Sequence, residues 1–438
     1  MGQGTGIFSR LLTFLESAIS LFPDNRRGRN LSYRMRDLAM SAFSVFFTQC
    51  PSFLSFQRSM QENQGKNNCR TLFGVETIPS DNQIRNVLDA VPERCLESVY
   101  ESCVRLLIDE GYLKDFRGVH DQLLVALDGT RFFDSEAINC SGCSTSVQSN
   151  GTRSYYHGVL TSAVVAPGSQ RVIALAPEVI SPQDGTEKQD CEYEAAKRWM
   201  ERWAPLLAAQ KVTLLGDDLF SHLSFCRAAK KHRFSFIFTC KPASHPTLAE
   251  WIAECDPRLD LHETSNRRWD GRKHHTYTYR WATEVPLTDV ARPMLVNWME
   301  LTISDDAGKV TYHNTWVTDL PIDETTVELM VQAARTRWKI ENETINTLKT
   351  KGYHLEHNFG HGKQHLANLL LSMNLLSFLF HTILEFADAR YRLIRQTLAR
   401  RTTFFEDVRA LTRYLCFENW TTMLQFMLTG LKLADPGG

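Results

Sequence analysis

LLVALDGTRFF, Leu123–Phe133, is where the chain changes its period. Upstream, apolar residues recur at helical spacing. Here five apolar residues run together before Asp-Gly-Thr interrupts them. Such a run, bounded by a turn signal, reads as a strand buried on both faces. It predicts Asp128 at the strand's exit. RSYYHGVLTSAVVAP and RVIALAPEVISP follow as strands around a Pro-Gly-Ser turn at 167–169. CEYEAAKRWMERWAPLLA turns helical, and KVTLLGDD is a second apolar strand ending in acid. LFSHLSFCRAAKKH reads as a helix and FSFIFTC as a short strand. Three strands followed by alternating helix and strand predict an α/β (α+β) fold, a mixed sheet with flanking helices.

Working outward, residues 1–120 predict a helical N-terminal region. Its basic loop PDNRRGRN offers Arg26, Arg27 and Arg29, with Arg34 and Arg36 nearby, as partners for phosphates. PSDNQIRNVLDAVP predicts a helix with a Ser80/Asp81 cap. Residues 121–240 hold the strands above. Residues 241–320 read as a β-rich insertion of short strands with Trp251, Trp269, Trp281, Trp298 and Trp316. Asp323–Lys351, within 321–355, predicts one long helix. Asp323 caps it, acids crowd its first turn, and Gly352 marks its stop. Leu329, Ile340 and Leu348 are its expected apolar side. Arg337 and Glu341 are four apart and share a face, and Lys349 follows at roughly 80° round the axis. Residues 356–438 predict helices again, with an Arg-rich segment.

The run His365–Phe386 is apolar but contains Asn368, Asn374, His381 and Glu385. A buried core helix is expected there rather than a membrane span. The start, MGQGTGIFSRLLTFLESAISLF, is interrupted by Arg10 and Glu16 and reads as an amphipathic helix, not a secretory signal. With 438 residues the chain has room for two or three modules. Lys and Arg number 49 against 50 Asp and Glu, so any nucleic-acid surface must come from local basic patches. Eleven scattered cysteines fit a reducing compartment better than a disulfide framework.

The chemistry-bearing set is Asp128, Asp217 and Glu341: two acids after apolar strands and a third on a helix able to cross the sheet. Hard oxygen ligands in an incomplete cage suit Mg²⁺ or Mn²⁺. Paired ions of this kind support phosphodiester transfer, with Arg337 and Lys349 facing the phosphate. Cys140-x-x-Cys143 is half of a zinc site. Its completion needs Cys191, Cys226, Cys240, Cys255 or a histidine brought near in space. The loop with His354, His357, His361 and His365 matches no standard metal spacing. It reads instead as a DNA-backbone contact, together with Lys351 and Lys363.

The order DGT, GDDLFSH, RWKIENETINTLK resembles the DDE transposases of bacterial insertion sequences. The similar subgroup carries Tyr-x2-Arg-x3-Glu-x6-Lys on the helix of the third acid. The resemblance spans about residues 120 to 355 and implies a ribonuclease-H-like core with a β insertion between the second and third acids. By position Asp128 resembles the first acid. Asp217 resembles the second, because Phe220 matches the aromatic three residues on. Glu341 resembles the third, preceded by Arg337-Trp338-x-Ile340. Two departures stand out: Ala334 occupies the tyrosine position, and Lys349 follows Glu341 by eight residues, not seven. The resemblance further implies strand cleavage and strand transfer with Mg²⁺ or Mn²⁺ on terminal inverted repeats and target DNA. It implies a homodimer on two DNA ends, no membrane, and the bacterial cytoplasm near the nucleoid. Insertion tryptophans could stack on an extruded base, although core packing is their ordinary role. The alternatives are a metal-dependent nuclease on the same core and a non-catalytic, sequence-specific DNA-binding protein.

Overall fold

The computed structural model describes residues 6–27, 31–61, 64–182, 191–254, 261–398 and 400–437. Its strands are β1 (Leu123–Ser135), β2 (Ser144–Val147), β3 (Arg153–Val165), β4 (Ile173–Ala174), β5 (Glu178–Ile180) and β6 (Val212–Gly216). They continue with β7 (Ser235–Thr239), β8 (His262–Trp269), β9 (His274–Pro286), β10 (Leu295–Asp305) and β11 (Val310–Thr318). All join one mixed sheet in the order β2-β3-β1-β6-β7-β11-β10-β9-β8, with β4 and β5 also paired to β3. β3 runs antiparallel to β1, whereas β6 and β7 run parallel to it. Parallel neighbours need crossovers, and helices Glu192–Leu207 and Leu223–Lys231 supply them.

β1 is longer than its sequence suggests. It passes through Asp-Gly-Thr to Ser135, so Asp128 lies inside the strand and not at its end. What ends at Leu127 is the burial. β6 pairs with Leu123–Ala126 alone, while antiparallel β3 continues alongside to Ser135.

The insertion begins with a helix, Pro246–Glu254, before its four strands. Because β11 pairs antiparallel with β7, those strands extend the same sheet. Trp281, Trp298 and Trp316 are buried in its packing, whereas Trp251 and Trp269 are exposed.

The long helix expected over Asp323–Lys351 is broken. An α segment, Val327–Arg335, is followed by a π segment, Ile340–Ile345, and a short α segment, Asn346–Thr350. Asp323 caps as expected, its Oδ1 accepting from the Thr325 and Thr326 N–H groups at 2.9 Å each. The N–H groups of Arg337, Lys339 and Ile340 reach back only three residues, and that of Asn346 reaches back five, to Glu341. The sequence accounts for this. Val327, Val331 and Ala334 form the buried stripe, and an unbroken helix would continue it through Trp338 and Glu341. Burying an unpaired carboxylate is far costlier than losing one or two backbone bonds at about 1 kcal/mol each. The tightened turn instead buries Ile340, worth about 1.5–3 kcal/mol, and leaves Trp338 and Glu341 outside. The π turn then brings Ile345 and Leu348 back to the core. Leu329, expected on the apolar side, is 48 % exposed. Gly352 takes a φ of +91°, the left-handed stop that glycine permits.

The N- and C-terminal helices interlock rather than standing apart. Leu366–Ala387 is, among the described residues, the helix long and apolar enough to cross a membrane, and 94 % of its most apolar window is buried inside the fold. Its His381 joins Phe47 O to the Tyr353 hydroxyl, at 3.0 and 2.7 Å. The buried Asn68 side chain donates to Thr412 O and Leu415 O and accepts from Phe417 N–H, at 2.8, 2.6 and 2.9 Å. Asn68→Ala strands three backbone groups, with an expected loss of about 3 kcal/mol in a urea denaturation experiment. An unchanged midpoint would show that the two ends of the chain are not coupled through this amide.

Candidate functional site

The site starts from strand register. Parallel β1 and β6 pair Ala126 with Leu215, and carrying that register two residues further sets Asp128 level with Asp217, which lies just past the end of β6 and acts electrostatically on Asp128. At Gly216 β6 ends, and the Phe220 ring folds back so closely that a Cβ on Gly216 would lie 2.6 Å from it. Asp217 opens that turn, accepting from Leu219 N–H at 3.0 Å. The adjacent Asp218 is committed elsewhere: its carboxylate accepts from Lys241 N–H at 2.6 Å and from the Ser244 hydroxyl. That division of labour favours Asp217 over Asp218 as the acid beside Asp128.

Glu341 approaches from the broken helix. The Arg337 guanidinium contacts both Glu341, at 2.7 Å, and Asp128, at 3.5 Å. A fourth carboxylate completes the group. Glu192, the first residue of helix Glu192–Leu207, lies against Gly129, where an added Cβ would come 2.0 Å from the carboxyl carbon. A side chain at 129 would therefore push the Glu192 carboxylate away from this position. Burial raises the Glu192 carboxyl above its ordinary range, and Asp217 pushes it further. Sequence reading missed Glu192. Its only signals were a helix-opening acid in CEYE and the side-chain-free residue beside Asp128.

These neighbours set the charge state of Asp128. Burial pushes its carboxyl up to about 7; Arg337 opposes the rise, while Glu341, Glu192 and Asp217 add to it. Of these four carboxylates only Asp128 and Glu341 contact the guanidinium, and among the described residues no three of them bring ligand oxygens within 4.8 Å of one another, so the free chain holds no preassembled cation cage here. Arg337 is the cation that neutralises Asp128 and Glu341 in the free chain.

The other expected residues are dispersed. Lys349 pairs with Glu356 at 2.8 Å. Its eight-residue spacing from Glu341 contains the π turn, which absorbs one residue, so eight steps here turn as far as seven in a continuous α-helix. Lys349 thus projects within about 20° of Glu341 instead of 80° away. Ala334, at the tyrosine position, is buried in the helix face. Lys339 is buried too and donates to Ala166 O and Ser169 O at 2.5 and 2.6 Å, tying the helix to the turn after β3. Lys351 lies on an open cleft of about 1020 Å³, whose wall also carries Arg171, Arg395, Arg400, Arg401 and Glu343. Arg26 is held by Asp24 at 2.7 Å and by Tyr33 O at 2.8 Å, in the loop before helix Met35–Phe47. Arg27 is exposed there, and Arg29 lies outside the described residues.

A carboxyl that ionises near 7 when folded and near 3.8 when unfolded favours folding fully below pH 3.8 and loses that contribution as pH rises through 7. Asp128→Asn should therefore melt higher than wild type at about pH 8 without divalent metal, and the gap should shrink toward about pH 4. A pH-independent gap would mean that Asp128 is not the group titrating. The chain matches no family model and no curated protein.

Proposed function

We propose that the chain is a DDE transposase, which binds the ends of an insertion sequence and catalyses metal-dependent DNA strand cleavage and strand transfer. The observation that carries this reading is the in-register juxtaposition of Asp128 and Asp217 at the end of the buried β1–β6 pairing, with Glu341 and Arg337 brought over it by a helix that breaks there. The strand order supports a ribonuclease-H-like core: antiparallel β5, β3 and β1, then parallel β6 and β7, with β8–β11 inserted between the second and third acids.

In this reading Asp128, Asp217 and Glu341 would close on Mg²⁺ or Mn²⁺, which would supply activation of the attacking hydroxyl and stabilisation of the leaving oxygen. Arg337 exchanges a carboxylate partner for a phosphate oxygen, to which its planar fork is equally suited. Glu192, lying against Gly129, adds a further carboxylate beside the first acid. Lys349 aims at the same phosphate region, and Lys351 and Arg400 in the adjoining cleft bind flanking backbone. Strand transfer at two ends implies double-stranded DNA as partner and a homodimer in the complex. The corresponding location is the bacterial cytoplasm.

The test is cleavage of supercoiled plasmid carrying the element's ends, in Mg²⁺, Mn²⁺ or EDTA. Asp128→Ala, Asp217→Ala and Glu341→Ala are each expected to bring cutting and joining to background while duplex binding stays within a few-fold of wild type. Metal-dependent cutting without joining would leave a nuclease. Binding without cutting in either metal would leave a DNA-binding protein, and cutting that survives Glu341→Ala would displace the site. Lys351→Ala and Arg400→Ala should weaken duplex binding irrespective of sequence, each lowering the slope of log affinity against log salt by about 1. An unchanged slope would remove the cleft from the DNA path.

A further inference from the structure

On the far arm of β3, where His157 pairs with Phe133 of β1, four soft or borderline donors meet. Cys140 and Cys143 lie on the turn before β2, His157 is on β3, and His361 comes from the loop after the broken helix. The sequence offered only the first two as half a site and assigned His361 to a DNA-contacting loop. In the fold His361 turns inward and is buried. Among the described residues, these four make the group of His, Cys, Asp and Glu side chains whose ligand atoms all lie within 4.8 Å of one another.

We propose that Cys140, Cys143, His157 and His361 form a closed structural zinc site. The distances have the size of a tetrahedron's edges. With Zn–S near 2.3 Å and Zn–N near 2.05 Å, a regular tetrahedron has edges of about 3.8 Å between sulfurs, 3.6 Å from sulfur to nitrogen and 3.3 Å between nitrogens. The two Sγ atoms are 3.8 Å apart. Sulfur to Nε2 measures 3.5 Å for Cys140–His157, 3.4 Å for Cys143–His157 and 3.4 Å for Cys143–His361. The two Nε2 atoms are 3.2 Å apart. Both histidines therefore present the same nitrogen to one point, and an S₂N₂ set selects zinc over the hard ions suited to the carboxylates.

The surroundings are built for this. His361 Nδ1–H donates to Gly362 O at 2.9 Å, which turns its Nε2 lone pair inward. Cys140 N–H points at Cys143 Sγ, at 3.4 Å, as a thiolate-stabilising donor would. The loop is fixed independently of any metal: the Asp89 carboxylate accepts from the N–H groups of Lys363, Gln364 and Leu366 at 2.9–3.2 Å. Phe133 covers His361, with ring centroids 4.4 Å apart. Four protein ligands leave no open position for substrate, so the role is structural. The site would pin the exposed arm of β1 and β3, just beyond Asp128, to the loop that follows Glu341. It would thus hold two acid-bearing segments together as a positioning element.

This inference rests on the four side chains and not on the phosphodiester reading. The full-length wild-type protein should contain one zinc per chain by elemental analysis. Cobalt added to the stripped protein should give the intense visible bands of a four-coordinate thiolate site, and removing zinc should lower Tm. Cys143→Ser and His361→Ala should lose the zinc, while His357→Ala, in the same loop, and Glu341→Ala should keep it. Wild type that neither carries nor takes up zinc, a weak six-coordinate cobalt spectrum, or full zinc retention by His361→Ala would each overturn the assignment. Should the variants not fold, the wild-type zinc content and cobalt spectrum decide it.

Discussion

The structure depends on one pairing, the short buried parallel contact of β1 with β6. Four register pairs, Leu123–Ala126 with Val212–Leu215, lie between helical layers and admit no polar side chain except Thr213, which reaches Gln122. Beyond those pairs β6 stops while β1 continues, so two aspartates leave the cover of the sheet at the same level. A slip of one residue would point Asp128 to the other face and remove that adjacency. The apolar run is thus a packing element and, by where it ends, the device that aims the acids.

The second constraint is a conflict within the helix that follows the insertion. The core asks for Ile340, Ile345 and Leu348, whereas the preceding stripe would bury Trp338 and Glu341. The chain resolves it with a tightened turn and a π turn, giving up regular hydrogen bonds to keep a carboxylate in the open. π segments are uncommon and concentrate at functional sites, because there a polar residue must be presented against the helical period. The same turn shifts the angular position of Lys349 relative to Glu341, while its ammonium is paired with Glu356.

Charge is divided with similar economy of position. Asp128 and Glu341 share one guanidinium at the exit of β1 and β6, with Asp217 and Glu192 close enough to act on Asp128, and four sulfur and nitrogen donors collect on the far arm of β1 and β3. Hard and soft donors do not mix.

Much of this was legible in the sequence. Period alone marked the strands, the helices, the change at Leu123 and the core character of Leu366–Ala387. The Asp-Gly-Thr and Gly-Asp-Asp ends marked two acids, and Arg337 with Glu341 marked the third. What sequence could not supply were contacts between residues far apart along the chain. Glu192 meets Gly129 only because a crossover helix starts there. His157 and His361 complete a cysteine pair only because β3 and a loop some two hundred residues later face each other. The break at 336–345 was hidden for a related reason. Helix propensity is local, but the decision to bury Ile340 rather than Glu341 belongs to the sheet against which the helix is packed. Local periodicity determined most of the elements, and the candidate acids were marked by their places on those elements and by resemblance. Tertiary packing, by setting register and choosing which face each residue turns inward, decided which of them meet.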